Sequence, residues 1–247
     1  MRNIQLILLT LVLVLSCKDK SEDETLATEK FVDEEVKVEE NDWIYLFDGT
    51  NLDHWRGYLA DSIYANWTIE QDGTLMFTPD PEGYKNIITK DTYESFILSL
   101  DWRISEGGNS GIFWAVSEEG KRPEAYETGP EIQILDNERH PDAKVAGGTH
   151  KAGSLYDLVA YPPEAINPAG EWNSCLIEIN YKENKGSISI NGNEPITFPV
   201  QGDEWQNMLD NSKFKGWEYF GKYHKGHIGL QDHGNKVWFR NIKIKPF

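Results

Sequence analysis

Short apolar segments separated by turn residues run from Trp43 to the end of the chain. Examples are "NWTIEQDGTLMFT", "FILSLDWRIS" and "GSISINGNEPITF", in which apolar and polar residues alternate as they do in half-buried strands. The Asp-Gly of "EQDG" and the Asn-Gly of "INGN" are strong hairpin signals. Helical periodicity is confined to "EWQNMLDNSKF". This pattern predicts an all-β sandwich or jelly roll with two antiparallel sheets.

The N-terminus has the features of a lipoprotein signal peptide. Arg2 and Asn3 precede the apolar run "IQLILLTLVLVLS", which is shorter than the roughly 20 residues that a transmembrane helix needs. Residues 1–16 are therefore predicted to be cleaved and Cys17 to be lipidated. An uncleaved anchor and a plainly secreted protein are the alternatives. The expected location is the bacterial cell envelope, with Cys17 anchoring the protein to the outer membrane on its periplasmic or surface face.

A strongly acidic segment follows the cysteine. Residues 18–42 contain eleven Asp or Glu and four Lys, with few large apolar side chains. Residues 17–42 are thus predicted to form a lipidated cysteine with a flexible tether, and residues 43–247 a single domain. The formal charge of −17 argues against a nucleic-acid partner and disfavours phosphorylated substrates. Neutral ligands such as sugars remain compatible with this charge.

The segment "PEIQILD" carries polar residues within an apolar strand. Period-2 alternation puts Glu131 and Gln133 on the face opposite to Ile132 and Ile134. Asp136 joins them only if a bulge occurs between the last two apolar residues; otherwise it begins a turn. The spacing is that of the Glu-x-Asp-x-x-Glu strand of retaining glucanases, in which two carboxyl groups lie about 5 Å apart. The middle amide and the shorter final acid weaken that interpretation.

Three further segments supply candidate ligand-binding residues. In "GLQDHG", Gln231 lies near His233, which could act as a base, an acid or a metal ligand. In "SEGGNSGIFW", Asn109 could bind hydroxyl groups, unless the segment is an ordinary hairpin turn. Trp114 and Tyr156 are candidate rings for stacking against a sugar.

Several motifs taken together indicate a family. "LFDGTNLDHWRG", "LDWRISEGGNSGIFW", "PEIQILDN", "AGSLYDL" and "GHIGLQDHGNKVWFRNIKIK" occur in this order between residues 43 and 247. The chain resembles the family of 3-keto-disaccharide hydrolase domains, formerly a domain of unknown function, in the form of a bacterial lipoprotein. The resemblance implies a concanavalin A-like lectin/glucanase jelly roll of two antiparallel sheets. It also implies a carbohydrate partner, an oxidised glycoside, on which the domain acts as a hydrolase or a β-eliminating lyase.

The chemistry that the resemblance implies requires a base, a group that stabilises an enolate and an acid. Glu131 or His233 is predicted to be the base, and Arg103 an electrophilic group. Asp136 is predicted to orient the site or to bind a divalent cation, and no other cofactor is expected. The predicted donors to hydroxyl or enolate oxygens are Gln133, Gln231 and Asn109.

Two other functions remain open. A carbohydrate-binding surface lipoprotein without catalysis would use the same fold, because function depends on the site rather than on the fold. A conventional retaining glucanase is the second alternative. A cleft in which Glu131, Gln231 and His233 converge would favour an enzyme, whereas a flat face of exposed aromatic rings would favour a binding module.

Overall fold

The computed structural model describes residues 42–81, 83 and 85–247. The predicted signal peptide, the lipidation site at Cys17 and the tether before Asp42 lie outside the described residues. Within the described part, no helix is long and apolar enough to cross a bilayer.

Thirteen strands and one α-helix make up the regular structure of the described chain. The strands are β1 (Ile44–Phe47), β2 (Trp55–Gly57), β3 (Trp67–Ile69), β4 (Leu75–Phe77), β5 (Ile87–Thr89), β6 (Phe96–Ile104), β7 (Asn109–Val116), β8 (Glu131–Leu135), β9 (Asn173–Asn180), β10 (Lys185–Ile190), β11 (Ile196–Phe198), β12 (His227–Leu230) and β13 (Val237–Pro246). The helix α1 spans Gly202–Asp210, and single 3₁₀ turns lie at Glu119–Lys121, Ala125–Glu127, Pro141–Lys144, Ala146–Gly148 and Pro163–Ala165.

The strands form two antiparallel sheets, which confirms the predicted jelly-roll sandwich. The eight-stranded sheet has the order β11-β10-β9-β6-β13-β4-β3, and β1 also pairs with β13. The five-stranded sheet has the order β2-β5-β12-β7-β8. Both predicted hairpins are present: β3 pairs with β4, and β10 pairs with β11. Between β10 and β11, Asn191 and Gly192 have φ values of 54° and 71°, which is the backbone that an Asn-Gly turn favours.

The eight-stranded sheet is buried on one face only. Along β6, buried residues alternate with half-buried ones, so that Trp102 and Ile104 face the core while Asp101 and Arg103 face outwards, as their spacing predicted. The main core lies between this face and the inner face of the smaller sheet, where Ile112 and Ile132 are opposite each other. Aliphatic and aromatic side chains fill it, and their removal from water is the main stabilising contribution.

The five-stranded sheet, in contrast, is buried on both faces. All eight residues of β7 and all five of β8 are buried. A second apolar cluster that includes Phe113 and Ile88 covers part of the outer face. Phe113 pairs directly with Glu131 on the neighbouring strand. Gly229 of β12 pairs with Phe113 on one side and with Ile88 on the other, so these residues share the outer face. Loops therefore cover this sheet, and they enclose the candidate site against it.

Candidate active site

A cavity of about 300 Å³ lies against the outer face of the five-stranded sheet. Its floor includes Glu131 and Gln133 of β8, Asn109 of β7 and Gln231, which follows β12. The volume is at the lower end of the roughly 300–1,000 Å³ that small-molecule sites occupy. Side chains that are far apart in the sequence thus converge on one partly enclosed space.

Glu131 is the buried carboxyl group of this floor. The residue is 7% exposed, and a Cβ atom at Gly111 would lie only 2.7 Å from its Cδ atom. A glycine is therefore needed at position 111, because the carboxyl group folds over its backbone. Burial raises the pKa of Glu131 to about 8; Lys213 acts in the opposite direction and Asp142 adds to the rise. At neutral pH the group is mainly protonated and can donate a hydrogen bond.

Two amide side chains present acceptors to the cavity. Asn109 is 3% exposed and Gln231 is 5% exposed, and both line the cavity. Asn109 Oδ1 and Gln231 Oε1 are buried atoms without a hydrogen-bond partner among the described residues. Leaving a buried acceptor unsatisfied costs about 1–3 kcal/mol. The sequence predicted these two amides as donors, whereas the atoms without a partner are their oxygens, which are suited to accept hydrogen bonds from the hydroxyl groups of a ligand.

His233 also lines the cavity, although much of its surface is exposed. The centroid of its ring is 6.5 Å from that of His140, and the two rings meet edge to face. Partial desolvation and the neighbouring His140 lower the pKa of His233 below its ordinary value. At neutral pH the imidazole is consequently neutral and able to accept a proton.

A segment rich in aromatic residues forms the wall opposite the sheet. We call residues 213–221 the aromatic strap. The rings of Phe214 and Phe220 stack with centroids 3.6 Å apart, and Trp217 meets Phe214 edge-on at 5.3 Å. Tyr126 extends the wall, with its ring centroid 6.2 Å from that of Trp217. The cavity therefore has a polar floor and an aromatic wall, an arrangement that suits a ring with polar edges and apolar faces.

The aromatic strap is fixed at both ends. At one end the Lys213 amide donates to Asp157 Oδ2 at 2.7 Å, and at the other the Gly221 amide donates to the carbonyl of Thr128 at 2.9 Å. Asp157 adopts a φ of 60°, a left-handed conformation that is costly for a non-glycine residue. Its hydrogen bonds offset that cost and hold the wall in position.

A cluster of charged and aromatic groups surrounds Asp157. Its Oδ1 atom lies 2.7 Å from His150 Nε2, and the His150 ring stacks on Tyr156 with centroids 4.2 Å apart. The Tyr156 hydroxyl donates to Asp142 Oδ2 at 3.2 Å, and Lys213 Nζ is 4.0 Å from the centroid of the Tyr156 ring. Burial raises the pKa of Tyr156 and lowers that of Lys213. Glu131, Asp157 and Asp142 oppose the lowering of the Lys213 pKa, and the Lys213 ammonium group in turn lowers the pKa of Glu131, so the two groups interact at this end of the cavity.

Six of the residues predicted from the sequence meet in this cavity: Glu131, Gln133, Asn109, Tyr156, Gln231 and His233.

Asp136 does not join them. The pairing of β7 with β8 is regular from Phe113 to Asn109, so the bulge predicted at Ile134–Leu135 is absent. The Asp136 carboxylate accepts hydrogen bonds from the amides of Gly107 at 2.7 Å and Glu138 at 3.0 Å. Burial would raise the pKa of Asp136, but these hydrogen bonds outweigh it and lower the pKa. The prediction that Asp136 acts in the site is wrong, because its carboxylate stabilises the turn.

Arg103 belongs to the opposite side of the molecule. It lies on the outer face of the eight-stranded sheet, where its guanidinium carbon is 4.8 Å from the ring centroid of Trp172 and 4.6 Å from that of Trp238. Its predicted electrophilic role is wrong, because the alternation that directs it outwards on β6 directs it away from the smaller sheet.

Trp114 is part of the main core. It is 2% exposed, and its ring centroid is 6.0 Å from that of Phe198. Its position on β7 puts it on the same face as Ile112, which points between the sheets. The prediction of a sugar-stacking role for Trp114 is therefore wrong.

Several residues of the site were not predicted. Lys213 and Glu124 line the cavity, and neither belongs to a strand whose periodicity would have drawn attention to it. The strap carried a usable signal, since "FKGWEYF" contains four aromatic residues in seven positions. The described chain contains no group of three or more His, Cys, Asp or Glu side chains arranged to bind a metal ion.

The fold and the cavity define a two-sheet jelly roll with a partly enclosed polar site on the outer face of its smaller sheet. The chain belongs to the family described as the 3-keto-alpha-glucoside-1,2-lyase-like domain, which matches residues 42–245. The family that the sequence motifs indicated is thereby confirmed.

Individual relatives agree with this assignment. The chain is 33% identical over 238 residues to the 3-keto-disaccharide hydrolase of Bacteroides thetaiotaomicron, an alignment that covers 85% of this chain and 80% of that protein. A crystal structure of a candidate glycosyl hydrolase from Parabacteroides distasonis is 28% identical with a TM-score of 0.74, covering 83% of this chain and 94% of that one. Another candidate glycosyl hydrolase from the same organism is 27% identical with a TM-score of 0.63, covering 84% of this chain and all of the other.

Proposed function

We propose that this protein cleaves 3-keto-glycosides by β-elimination, with later addition of water giving net hydrolysis. A ketone at C3 acidifies the hydrogen on C2, so that a base can remove it as a proton. The electrons of the C2–H bond then form the C1–C2 double bond, and the glycosidic oxygen leaves C1 with the electrons of the C1–O bond. Water subsequently adds its hydroxyl group to C1 and a proton to C2. The family and the name of the Bacteroides thetaiotaomicron relative support this substrate class.

One observation carries the proposal: a buried, mainly protonated carboxyl group and a neutral imidazole line the same cavity. In the proposed mechanism His233 takes the C2 proton. Glu131 donates a hydrogen bond to the oxygen at C3 as negative charge develops there, and the ammonium group of Lys213 adds electrostatic stabilisation. Asn109 and Gln231 accept hydrogen bonds from the hydroxyl groups of the sugar.

The architecture favours this reaction over the alternatives. A retaining glucanase needs a second carboxyl group about 5 Å from the first, and the carboxylate of Asp136 is held in a turn outside the cavity. A binding module that uses a flat face of aromatic rings needs no buried carboxyl group. Glu131, Gln231 and His233 instead converge in one partly enclosed cavity, and such convergence favours an enzyme.

The test compares 3-keto-trehalose with trehalose in deuterated buffer, with and without a chelator. We expect the purified protein to release sugar from the oxidised substrate alone, and the product to carry deuterium at C2. Release from trehalose at a similar rate, or release without deuterium at C2, would contradict the elimination mechanism. Binding without release would support the carbohydrate-binding alternative.

The roles of the two residues are separable by substitution. Glu131→Gln keeps a hydrogen-bond donor and is expected to retain more activity than Glu131→Ala, whereas His233→Ala should abolish both sugar release and deuterium exchange at C2. Equal inactivity of both Glu131 variants, together with an active His233→Ala, would instead identify Glu131 as the base.

The pH profile provides an independent check of the same roles. Activity should rise as His233 loses its proton below its ordinary pKa and should fall as Glu131 ionises near pH 8. If Glu131 were the base, activity would instead rise through pH 8.

A further inference from the structure

A second carboxyl group lies at the other end of the cavity. Glu124 lines the cavity and belongs to the connection between β7 and β8, which crosses the outer face of the five-stranded sheet. Its Oε2 atom accepts a hydrogen bond from Asn86 Nδ2 at 3.2 Å. Glu124 lies outside the strands, so no strand pattern indicated this residue.

The partner of Glu124 is rigidly held. Asn86 is 3% exposed, its Oδ1 atom accepts from the Asp232 amide at 2.8 Å, and its carbonyl accepts from the Tyr58 amide at 2.9 Å. Asn86 therefore presents its Nδ2 group in one orientation. Glu124 thus has a defined position before any ligand binds.

The connection that carries Glu124 is also anchored. Glu118 forms a two-point salt bridge with Arg56, with distances of 2.8 and 2.6 Å, and the Tyr58 hydroxyl donates to the carbonyl of Arg122 at 2.9 Å. These contacts hold the segment just before Glu124 against Arg56 of β2 and against Tyr58, which directly follows that strand. The carboxyl group is consequently a fixed part of the cavity wall.

The two carboxyl groups lie on either side of the floor. Asn86 immediately precedes β5 and Glu131 lies on β8, and these strands are three intervals apart in the sheet. At about 4.8 Å per interval the backbones of these two strands are roughly 14 Å apart, and the carboxyl group of Glu131 extends over Gly111 of β7, one interval towards β5. Asn109 lies on β7 and Gln231 directly follows β12, and these are the two strands between β5 and β8. A sugar bound by those amides therefore lies between Glu131 and Glu124.

We propose that Glu124 is the general acid that protonates the leaving group, an inference that rests on the proposed function. As the C1–O bond breaks, its electron pair stays on the glycosidic oxygen, and the proton of the Glu124 carboxyl group moves to that oxygen. The departing group leaves as a neutral alcohol and Glu124 becomes a carboxylate, which regains a proton from water. The proton from C2 goes separately to the base, so charge and atoms balance.

The environment of Glu124 suits this role. Burial, with Glu127 and Asp232 adding to it, raises the pKa of Glu124 to about 7, although the hydrogen bond from Asn86 opposes the rise. A carboxyl group with this pKa is partly protonated at neutral pH and regains its proton readily after each turnover. Its ionisation should make kcat/KM for 3-keto-trehalose fall from about pH 7, whereas the fall for a leaving group that needs no proton should follow the ionisation of Glu131 near pH 8. General acids contribute most when their pKa is near the working pH.

The experiment varies the leaving group. A 4-nitrophenyl group departs without protonation, whereas the glucose unit of 3-keto-trehalose does not. We expect Glu124→Gln to lower kcat/KM for 3-keto-trehalose by about 100-fold or more and that for a 4-nitrophenyl 3-keto-glucoside by only a few-fold. Glu119→Gln, a substitution at an exposed residue of the same connection that does not line the cavity, is the matched control and should leave both values near those of the wild type.

Exchange of the C2 hydrogen distinguishes the proposal from a failure of the site. Glu124→Gln should still exchange the C2 hydrogen of 3-keto-trehalose with deuterated solvent, because proton removal does not require the leaving-group acid. An equal loss for both substrates, or loss of exchange, would overturn the assignment. If Glu124→Gln does not fold, Glu124→Asp is the substitute, because it keeps a carboxyl group. It should lower kcat/KM for 3-keto-trehalose more than that for the 4-nitrophenyl substrate, although by less than Glu124→Gln would. Equal losses of kcat/KM for both substrates would overturn the assignment of Glu124. If the wild type cleaves neither substrate, the proposed function itself fails, and the inference with it.

Discussion

Glu131 loses its contact with water when the chain folds, and this makes stability depend on pH. Its pKa rises from 4.5 to about 8 on burial. Between these values the unfolded chain has released the proton and the folded chain has kept it. The free energy of unfolding therefore falls as pH rises through this range, by a few kcal/mol in total at roughly 1.4 kcal/mol per pKa unit.

Glu131→Gln should consequently stabilise the protein, because a neutral amide does not have to take up a proton when the chain folds. We expect its Tm to exceed that of the wild type by several °C at pH 8 and by less at pH 5. Thermal unfolding at the two pH values measures the difference. Glu164→Gln, at an exposed position, is the control and should leave Tm unchanged. A difference in Tm between Glu131→Gln and the wild type that does not vary with pH would contradict this account of Glu131.

Alanine substitutions at Gly111 and Gly186 distinguish an effect on packing from an effect on activity. A Cβ atom at Gly111 would overlap with the carboxyl group of Glu131, and one at Gly186 would overlap with the Phe198 ring in the other sheet. Both alanine variants should lose about 1–3 kcal/mol of stability through overpacking. Only Gly111→Ala should also reduce kcat/KM on a 3-keto-glycoside, by about tenfold or more. Equal effects on activity would show that Gly111 has no special relation to the site.

At the scale of elements, the aromatic strap depends on a single side chain at one end. Asp157 accepts hydrogen bonds from the Lys213 amide and from His150. Asp157→Ala removes both, so amide exchange over residues 211–221 should accelerate while exchange in β6 stays unchanged. Hydrogen exchange with mass spectrometry measures this, and Asp210→Ala at the end of α1 is the control. Unaltered exchange in the strap would mean that its other contacts suffice to hold it.

Strands were predictable from the sequence where alternation was regular. The faces of β6 followed from period 2, because that strand is covered on one side only. The same rule directed Glu131 and Gln133 to the outer face of β8. It failed to distinguish the two outer faces of the sandwich, since a periodic pattern contains no information about which sheet a strand joins. Arg103 was assigned to the site for this reason.

The remainder of the site could not be read from periodicity. Lys213, Glu124 and Asp157 lie in connections, where the position of a side chain depends on tertiary contacts rather than on a repeat. Asp136 illustrates the reverse case: a polar residue at a strand end looked catalytic but is a hydrogen-bond acceptor for its own turn.

At the scale of the whole molecule, the location in the cell remains a prediction from the N-terminal sequence. Wild-type protein expressed in bacteria should fractionate with membranes and be released by detergent, because acyl chains on Cys17 insert into the bilayer. Cys17→Ser should lack the acyl chains and leave the detergent phase. Cys175→Ala is the matched control, since that thiol is buried in the core and should not affect fractionation. Identical behaviour of wild type and Cys17→Ser would exclude a lipid anchor at this residue.

The burial of the five-stranded sheet on both faces has a consequence for how such an enzyme could acquire new substrates. Every side chain of β7 and β8 is packed on one side or the other, so most substitutions there would disturb the core or the floor. The aromatic strap and the connection carrying Glu124 lie outside the strands, and each is held at a few anchor points that can be kept while the residues between them change. Variation in these two segments offers the less costly route to a new selectivity, and libraries designed to redirect the site should concentrate their diversity there.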